Sequence, residues 1–285
     1  MESPLRTTSP LKRALTAVVA AAALVAGGLF VATPASAAPP LPTRMAALGD
    51  SITQASVTCT ILILCPANSW STGSTASVAS HASRLKALGA STLTVYNDAV
   101  PSSSSSALQG QAARAVAQGA QYVTVEIGAN DACTKNVGSM TPTATFAAYV
   151  QAALSTLAAS SAKPEIFVAS IPNLMRLWDI NKTSIAARLA WALLGECDSM
   201  LAKPTSTAPA DVQRRAAVQQ RVNEFNAALQ SVCGSTPKCR YDGGAVANYA
   251  FSKSEITTID YFHPSLAGQK AFAALTWPTT QWVHP

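Results

Sequence analysis

Four short stretches of this chain carry the residue types needed to move an acyl group. They are Gly49-Asp50-Ser51-Ile52, Asn97-Asp98-Ala99-Val100-Pro101-Ser102, Gly128-Ala129-Asn130-Asp131 and Asp260-Tyr261-Phe262-His263-Pro264. A serine hydroxyl is a weak nucleophile until a base takes its proton. His263 can take the proton of Ser51 near neutral pH. Asp260, three residues earlier on the same turn, can hold the imidazole and stabilise its charged form. Asn130 can donate a side-chain hydrogen bond to a developing oxyanion, joined by the backbone N–H groups of Ser51 and Ser102. Asp50, Asn97 and Asp131 are expected to brace the first, second and third of these loops. His81 and His284 have no aspartate three residues before them and are expected to be structural.

None of the four stretches is informative alone. Gly-Asp-Ser is a common loop sequence, Gly-Ala-Asn-Asp is a turn, and Asp-x-x-His before Pro could open a helix with Asp260 as its cap. Their force comes from their order and from the elements before and after them. Arg44–Leu48, Thr92–Tyr96, Tyr122–Ile127 and Glu165–Ile171 are short apolar runs bounded by Gly, Pro, Asn or Ser, and read as strands. Between and after them, 81–88, 108–118, 143–158 and 211–232 read as helices, the first two closed by Gly89 and Gly119. A last helix is expected from Pro264 to Leu275, with proline at its start. Strands alternating with helices predict an α/β fold, a parallel sheet covered on both faces. In such a sheet ligands bind beyond the carboxyl ends of the strands, where the first three stretches fall. The serine run 102–106 directly follows a strand and reads as a loop of that crevice rather than a linker.

The first residues read as a leader, not as part of the fold. Arg6, Lys12 and Arg13 precede an uncharged stretch from Leu15 to Ala32, and Ala35-Ser36-Ala37 is a small-x-small cleavage site. This is the layout of a secretory signal peptide over residues 1–37, leaving a single domain over 38–285 in a secreted protein with no stable membrane anchor. The alternative is an uncleaved anchor, since the apolar run is near the shortest that spans a bilayer. The formal net charge of +6 includes the basic residues of the leader, so the remainder is only mildly basic. With no basic stripe interleaved with aromatics, nucleic-acid binding is not expected.

Cys59, Cys65, Cys133, Cys197, Cys233 and Cys239 make an even set, which in an exported chain reads as disulfides. Six cysteines allow 15 pairings and the sequence does not choose among them. Our expectation is the sequential set, 59–65, 133–197 and 233–239. With no CxxC and only three histidines, neither a metal nor an organic cofactor is expected.

Taken together, the four stretches resemble the SGNH hydrolases of the GDSL lipase and esterase group, in the family's order and over residues 44–277. Exported actinobacterial members with three disulfides are the nearest likeness. The resemblance implies a three-layer α/β/α sandwich of flavodoxin-like type, without a lid. It also implies hydrolysis of carboxylic esters through an acyl-enzyme on Ser51. One position departs from the family pattern. Where members usually carry glycine in the second block, this chain has Ser102, and glycine permits backbone angles that serine resists.

The expected substrates are lipid or simple acyl esters, in keeping with the apolar segment around Leu189–Leu194, and the expected state is a monomer. The alternatives are an esterase of acetylated polysaccharide on the same fold and a non-catalytic secreted binding protein. Trp178 and Trp191, between the fourth strand and the long helix, are expected in the core, with an acyl pocket as the other place for one of them.

Overall fold

The computed structural model describes residues 37–59 and 63–284, which belong to one compact unit spanning 36–285. The expected leader, Ala37 apart, lies outside the described residues. Five strands form one sheet: β1 (Arg44–Gly49), β2 (Thr94–Asn97), β3 (Tyr122–Glu126), β4 (Glu165–Val168) and β5 (Cys239–Tyr241). All neighbours run parallel, in the order β2-β1-β3-β4-β5. Nine α-helices accompany them among the described residues. They are α1 (His81–Ala87), α2 (Leu108–Ala117), α3 (Ala129–Ala132), α4 (Thr143–Ala159), α5 (Leu174–Asn181), α6 (Ile185–Leu194), α7 (Asp198–Leu201), α8 (Pro209–Gly234) and α9 (Leu266–Thr276). None is long and apolar enough to cross a membrane.

Strand order explains the layers. The chain steps one way from β1 to β2 and the other way from β2 through β3 and β4 to β5. Right-handed crossovers then put α1 on one face and α2, α4 and α8 on the other. The contacts agree: α2 packs on α4 and α4 on α8, while α1 meets the returning α9 through His81 Nε2 and Thr276 Oγ1, 2.8 Å apart. The reversal lies between β1 and β3, whose carboxyl ends carry Ser51 and Asn130. This is the switch point at which such sheets bind ligands.

Four of the five strands and five of the helices match the expected segments to within a few residues. The fifth strand was not expected. Cys239–Tyr241 spans only three residues, too few to show a period, and its pairing with β4 is fixed by the fold. The last helix is a correction. It starts at Leu266, with Ser265 as its cap accepting from Gly268 N–H, while Pro264 forms an antiparallel bridge with Ile256. The segment between β4 and α8 holds three helices, of which α5 and α6 are capped by the side chains of Asn173 and Ser184.

The cysteines pair sequentially: Cys59 with Cys65, Cys133 with Cys197 and Cys233 with Cys239. The second bridge ties the loop after α3 to the start of α7. His81 is a core residue, as expected. Its Nδ1 meets the Tyr122 hydroxyl at 2.7 Å, and burial, with the nearby Arg84, pushes its pKa down to about 3.

Candidate active site

The position of Ser51 begins with Gly49. Its φ is +151°, and a Cβ there would stand 2.3 Å from the Glu126 carbonyl oxygen, so only glycine lets β1 end against β3 in this way. Gln111 of α2 clasps the same residue, accepting from Gly49 N–H at 2.7 Å and donating to its carbonyl at 2.9 Å. Asp50 then turns the chain by accepting from Ile52 N–H at 2.8 Å. From the other face, Gln269 of α9 donates to the Ile52 carbonyl at 2.7 Å. Ser51 is thus held from both layers.

Ser51, His263 and Asp260 come together. His263 Nε2 lies 2.8 Å from Ser51 Oγ, and His263 Nδ1 lies 2.6 Å from Asp260 Oδ2. The other Asp260 oxygen accepts from the N–H groups of Phe262 at 2.8 Å and His263 at 3.0 Å. Two residues between aspartate and histidine suffice because Tyr261 adopts a left-handed φ of 56° and folds the turn back on itself. The indole N–H of Trp191 in α6 donates to the Tyr261 carbonyl at 3.1 Å and fixes that turn from outside.

Asn130 joins the same crevice, donating to Asp50 Oδ2 at 3.3 Å and to the Ser103 carbonyl at 3.0 Å. Ser102 stands next to that carbonyl with φ 59°. The loop therefore keeps the left-handed angle that glycine adopts freely, and serine holds it at a cost of roughly 1–2 kcal/mol. Among the described residues, neither Ser51 N–H nor Ser102 N–H meets a protein acceptor.

The bracing residues cross between loops more than expected. Asp50 braces its own loop. Asn97 holds its own turn by accepting from Ala99 N–H at 3.3 Å, and also donates to the Thr53 carbonyl at 3.0 Å beyond the nucleophile. Asp131 reaches across instead, accepting from Ser105 N–H at 2.8 Å and Ser105 Oγ at 2.6 Å, so the third block anchors the second. Trp191 is buried, as expected of the core, and its indole N–H serves the catalytic turn. Trp178 is half-buried and donates to the Pro204 carbonyl at 2.8 Å. Neither tryptophan lines the apolar cavity beside Ser51.

The electrostatics suit a base at position 263. Burial pushes the imidazole pKa down, but the hydrogen bond and charge of Asp260, with help from Glu196 and Asp50, outweigh it and leave the value above the ordinary one. Burial pushes Asp260 up, and the bonds and charge of His263 and the two backbone N–H groups outweigh that, leaving its carboxyl below the usual value. Burial raises Asp50 to about 7 despite Ile52 N–H and His263. Glu126, at the end of β3, is fully buried, and neither carboxylate oxygen has a hydrogen-bond partner among the described residues. Burial first, and the nearby Asp50 second, push its pKa well up. Sequence reasoning missed Glu126, Glu196 and Gln111, which belong to no motif. A glutamate in the otherwise apolar run of β3 was the one available signal.

A parallel α/β sheet bearing a Ser–His–Asp arrangement at its switch point defines the class of the serine-dependent acyl hydrolases. Residues 47–271 match the model of the GDSL-like lipase/acylhydrolase family, and the chain belongs to that family. It is a carboxylic ester hydrolase. Among solved structures it is similar to an α/β hydrolase from the metagenome of Lake Arreo, Spain, at 15% identity and a TM-score of 0.54, covering 85% of this chain and 97% of that one. It is also similar to an extracellular lipase from Streptomyces rimosus, at 14% identity, a TM-score of 0.49 and coverages of 84% and 100%. A third similarity is to a two-domain esterase active on acetylated mannans, at 15% identity, a TM-score of 0.39 and coverages of 81% and 47%. At such identities the likeness speaks to fold and does not choose a substrate. Comparison by sequence with curated proteins gives no significant match.

Proposed function

We propose that the protein is a secreted, monomeric esterase acting on lipid or simple acyl esters. The observation supporting the substrate class is an apolar cavity lined by chain neighbours of the reacting residues. Ile52 follows Ser51, Ala129 precedes Asn130, and Phe262 and Pro264 flank His263; all four line it, with Leu174, Phe251 and other mostly apolar side chains. A lining of this kind suits a hydrocarbon chain better than a sugar.

In the reaction, Ser51 Oγ attacks the acyl carbon while His263 Nε2 takes its proton. Asp260 holds the imidazole and offsets its charge. Ser51 N–H, Ser102 N–H and Asn130 Nδ2 stabilise the tetrahedral oxyanion. The 3.3 Å bond from Asn130 to Asp50 is the weaker of its two and the one that the oxyanion replaces. His263 returns the proton to the departing alcohol. A water activated by the same imidazole then attacks the acyl-Ser51 ester and releases the acid. Residues 1–37 direct export and are then removed, and the three disulfides suit an oxidising compartment.

The test is a series of p-nitrophenyl esters of increasing chain length beside an acetylated sugar, with Ser51→Ala as control. The expected result is turnover of the p-nitrophenyl esters above that of the acetylated sugar, lost in Ser51→Ala. Turnover confined to the acetylated sugar would overturn the substrate class.

A further inference from the structure

The segment from Trp191 to Ser199 belongs to none of the four motif stretches, yet it grips the surroundings of two of them. At its start, in α6, the indole N–H of Trp191 donates to the Tyr261 carbonyl at 3.1 Å. That carbonyl lies between Asp260 and His263, on the residue whose left-handed φ makes the turn. Trp191 is buried, so water does not compete for the bond. At the segment's end, in α7, the fully buried Ser199 grips the chain at the end of α3. Its Oγ donates to the Ala132 carbonyl at 2.8 Å and accepts from Thr134 N–H at 3.2 Å. Its own N–H donates to the Thr134 carbonyl at 2.8 Å, and the Cys133–Cys197 disulfide closes the same contact covalently. Helix α3, which carries Asn130, is a single turn and too short to stand alone. Between the two grips, Gly195 at φ 66° and Cys197 at φ 49° bend the segment back. Arg214 of α8 donates to the carbonyls of Asp198, Ser199 and Ala202 and ties its end to that helix.

We infer that residues 191–199 form a strap that sets the His263 turn against Asn130, with Trp191 the positioning residue for the base and Ser199 the positioning residue for the oxyanion donor. Neither touches the reacting atoms; each acts through a residue that does. The tetrahedral centre needs His263 Nε2 and Asn130 Nδ2 placed together about Ser51. In the free enzyme Ser51 itself helps to place the imidazole, through the 2.8 Å contact between its Oγ and His263 Nε2. Once Ser51 is acylated, its Oγ has become an ester oxygen with no proton to donate. The imidazole must then activate water without that partner. The strap does not pass through Ser51, so its hold on the turn survives acylation. Trp191 therefore matters most in the second half of the reaction, while Ser199 matters in both halves, because an oxyanion forms in each.

This inference rests on the ester hydrolysis proposed for Ser51, His263 and Asn130, and the experiment separates the two. Wild type, Trp191→Phe, Ser199→Ala, Asn130→Ala and the Asn130→Ala/Ser199→Ala double variant are compared in stopped-flow hydrolysis of p-nitrophenyl acetate, well below the melting temperature of each. Phenylalanine keeps an aromatic ring at position 191 and removes only the N–H donor and part of the ring system. The early burst of p-nitrophenolate reports acylation of Ser51, and the steady rate reports release of the acid. In Trp191→Phe the burst rate should stay within about twofold of wild type while the steady rate falls on the order of tenfold. Ser199→Ala should slow both phases, on the order of tenfold. In the Asn130→Ala background the same substitution should change either rate by no more than about twofold, since the group it positions is gone. Equal slowing of both phases by Trp191→Phe, or none, overturns the inference, as does a Ser199→Ala loss that is as large without Asn130 as with it. If wild type hydrolyses no ester, the proposed function fails and amide hydrogen exchange tests the strap by itself. Trp191→Phe should then speed exchange at Phe262 and His263, and Ser199→Ala at Cys133; unchanged exchange overturns the strap as well.

Discussion

His263 Nε2 stands 2.8 Å from Ser51 Oγ although 212 residues separate them in the chain. Ser51 rides on the end of β1, clasped by Gln111 and Gln269. His263 rides on a turn held by Asp260 and Trp191. The Ser51–His263 hydrogen bond thus depends on helices from both faces of the sheet and on an indole from the segment after β4.

Asn130 is the side chain assigned to the oxyanion, and loss of one such donor costs about 2.7–4 kcal/mol of barrier. Asn130→Ala should lower kcat on the order of 10²–10³-fold, with an unchanged circular dichroism spectrum. Turnover within a fewfold of wild type would remove Asn130 from the oxyanion site.

The imidazole must be neutral to accept the Ser51 proton. Its raised pKa keeps it protonated to higher pH, so the acid limb of kcat/KM should lie above the ordinary histidine value of 6.5. Glu196 is one of the charges that raise it. Glu196→Gln should move the acid limb to lower pH with little change in the plateau rate. A limb that stays in place would show that Glu196 does not reach His263 electrostatically.

Ser102 holds a left-handed φ of 59°, and its assigned contribution is a backbone N–H. Ser102→Gly keeps the N–H and removes the strain, so kcat should stay within about twofold, and thermal stability should hold or rise, the roughly 1–2 kcal/mol of relief exceeding the added freedom of the unfolded chain. A large loss in the glycine variant would assign the role to the hydroxyl.

The folded state raises the pKa of both Glu126 and Asp50, Asp50 to about 7. A carboxyl so raised adds stability below its unfolded value, and this stability is lost as pH rises through the folded value. The melting temperature should therefore fall between about pH 4, the unfolded carboxyl value, and pH 7. Glu126→Gln, neutral at every pH and close in shape, should flatten that fall and melt higher than wild type at pH 8. A variant with the slope of wild type would show that Glu126 is not the group being discharged.

Much of this was legible in the sequence because the reacting residues sit in loops beside strongly patterned elements. Strands β1 and β3 are apolar runs stopped by glycine, and Gly49 and Gly128 mark where the chain turns into the crevice. What was not legible depends on the third dimension. β5 is three residues long and owes its state to β4. The start of α9 was misplaced because Pro264 imitates a helix start, while Ser265, one residue on, makes the cap. Asp131 was assigned to its own loop because sequence shows neighbours in the chain, whereas its partner Ser105 is a neighbour only in space. Glu126 carries no motif; a lone glutamate in the run of β3 was its one trace in the sequence, and its burial without a partner among the described residues shows its importance.

The proposed nucleophile is Ser51, activated by His263. Labelling with a fluorophosphonate followed by peptide mapping, run beside p-nitrophenyl ester turnover, tests this assignment. One label is expected, on the peptide containing Ser51, with label and turnover both lost in Ser51→Ala. A label on another residue, or a Ser51→Ala variant that still turns over the ester near the wild-type rate, would contradict it.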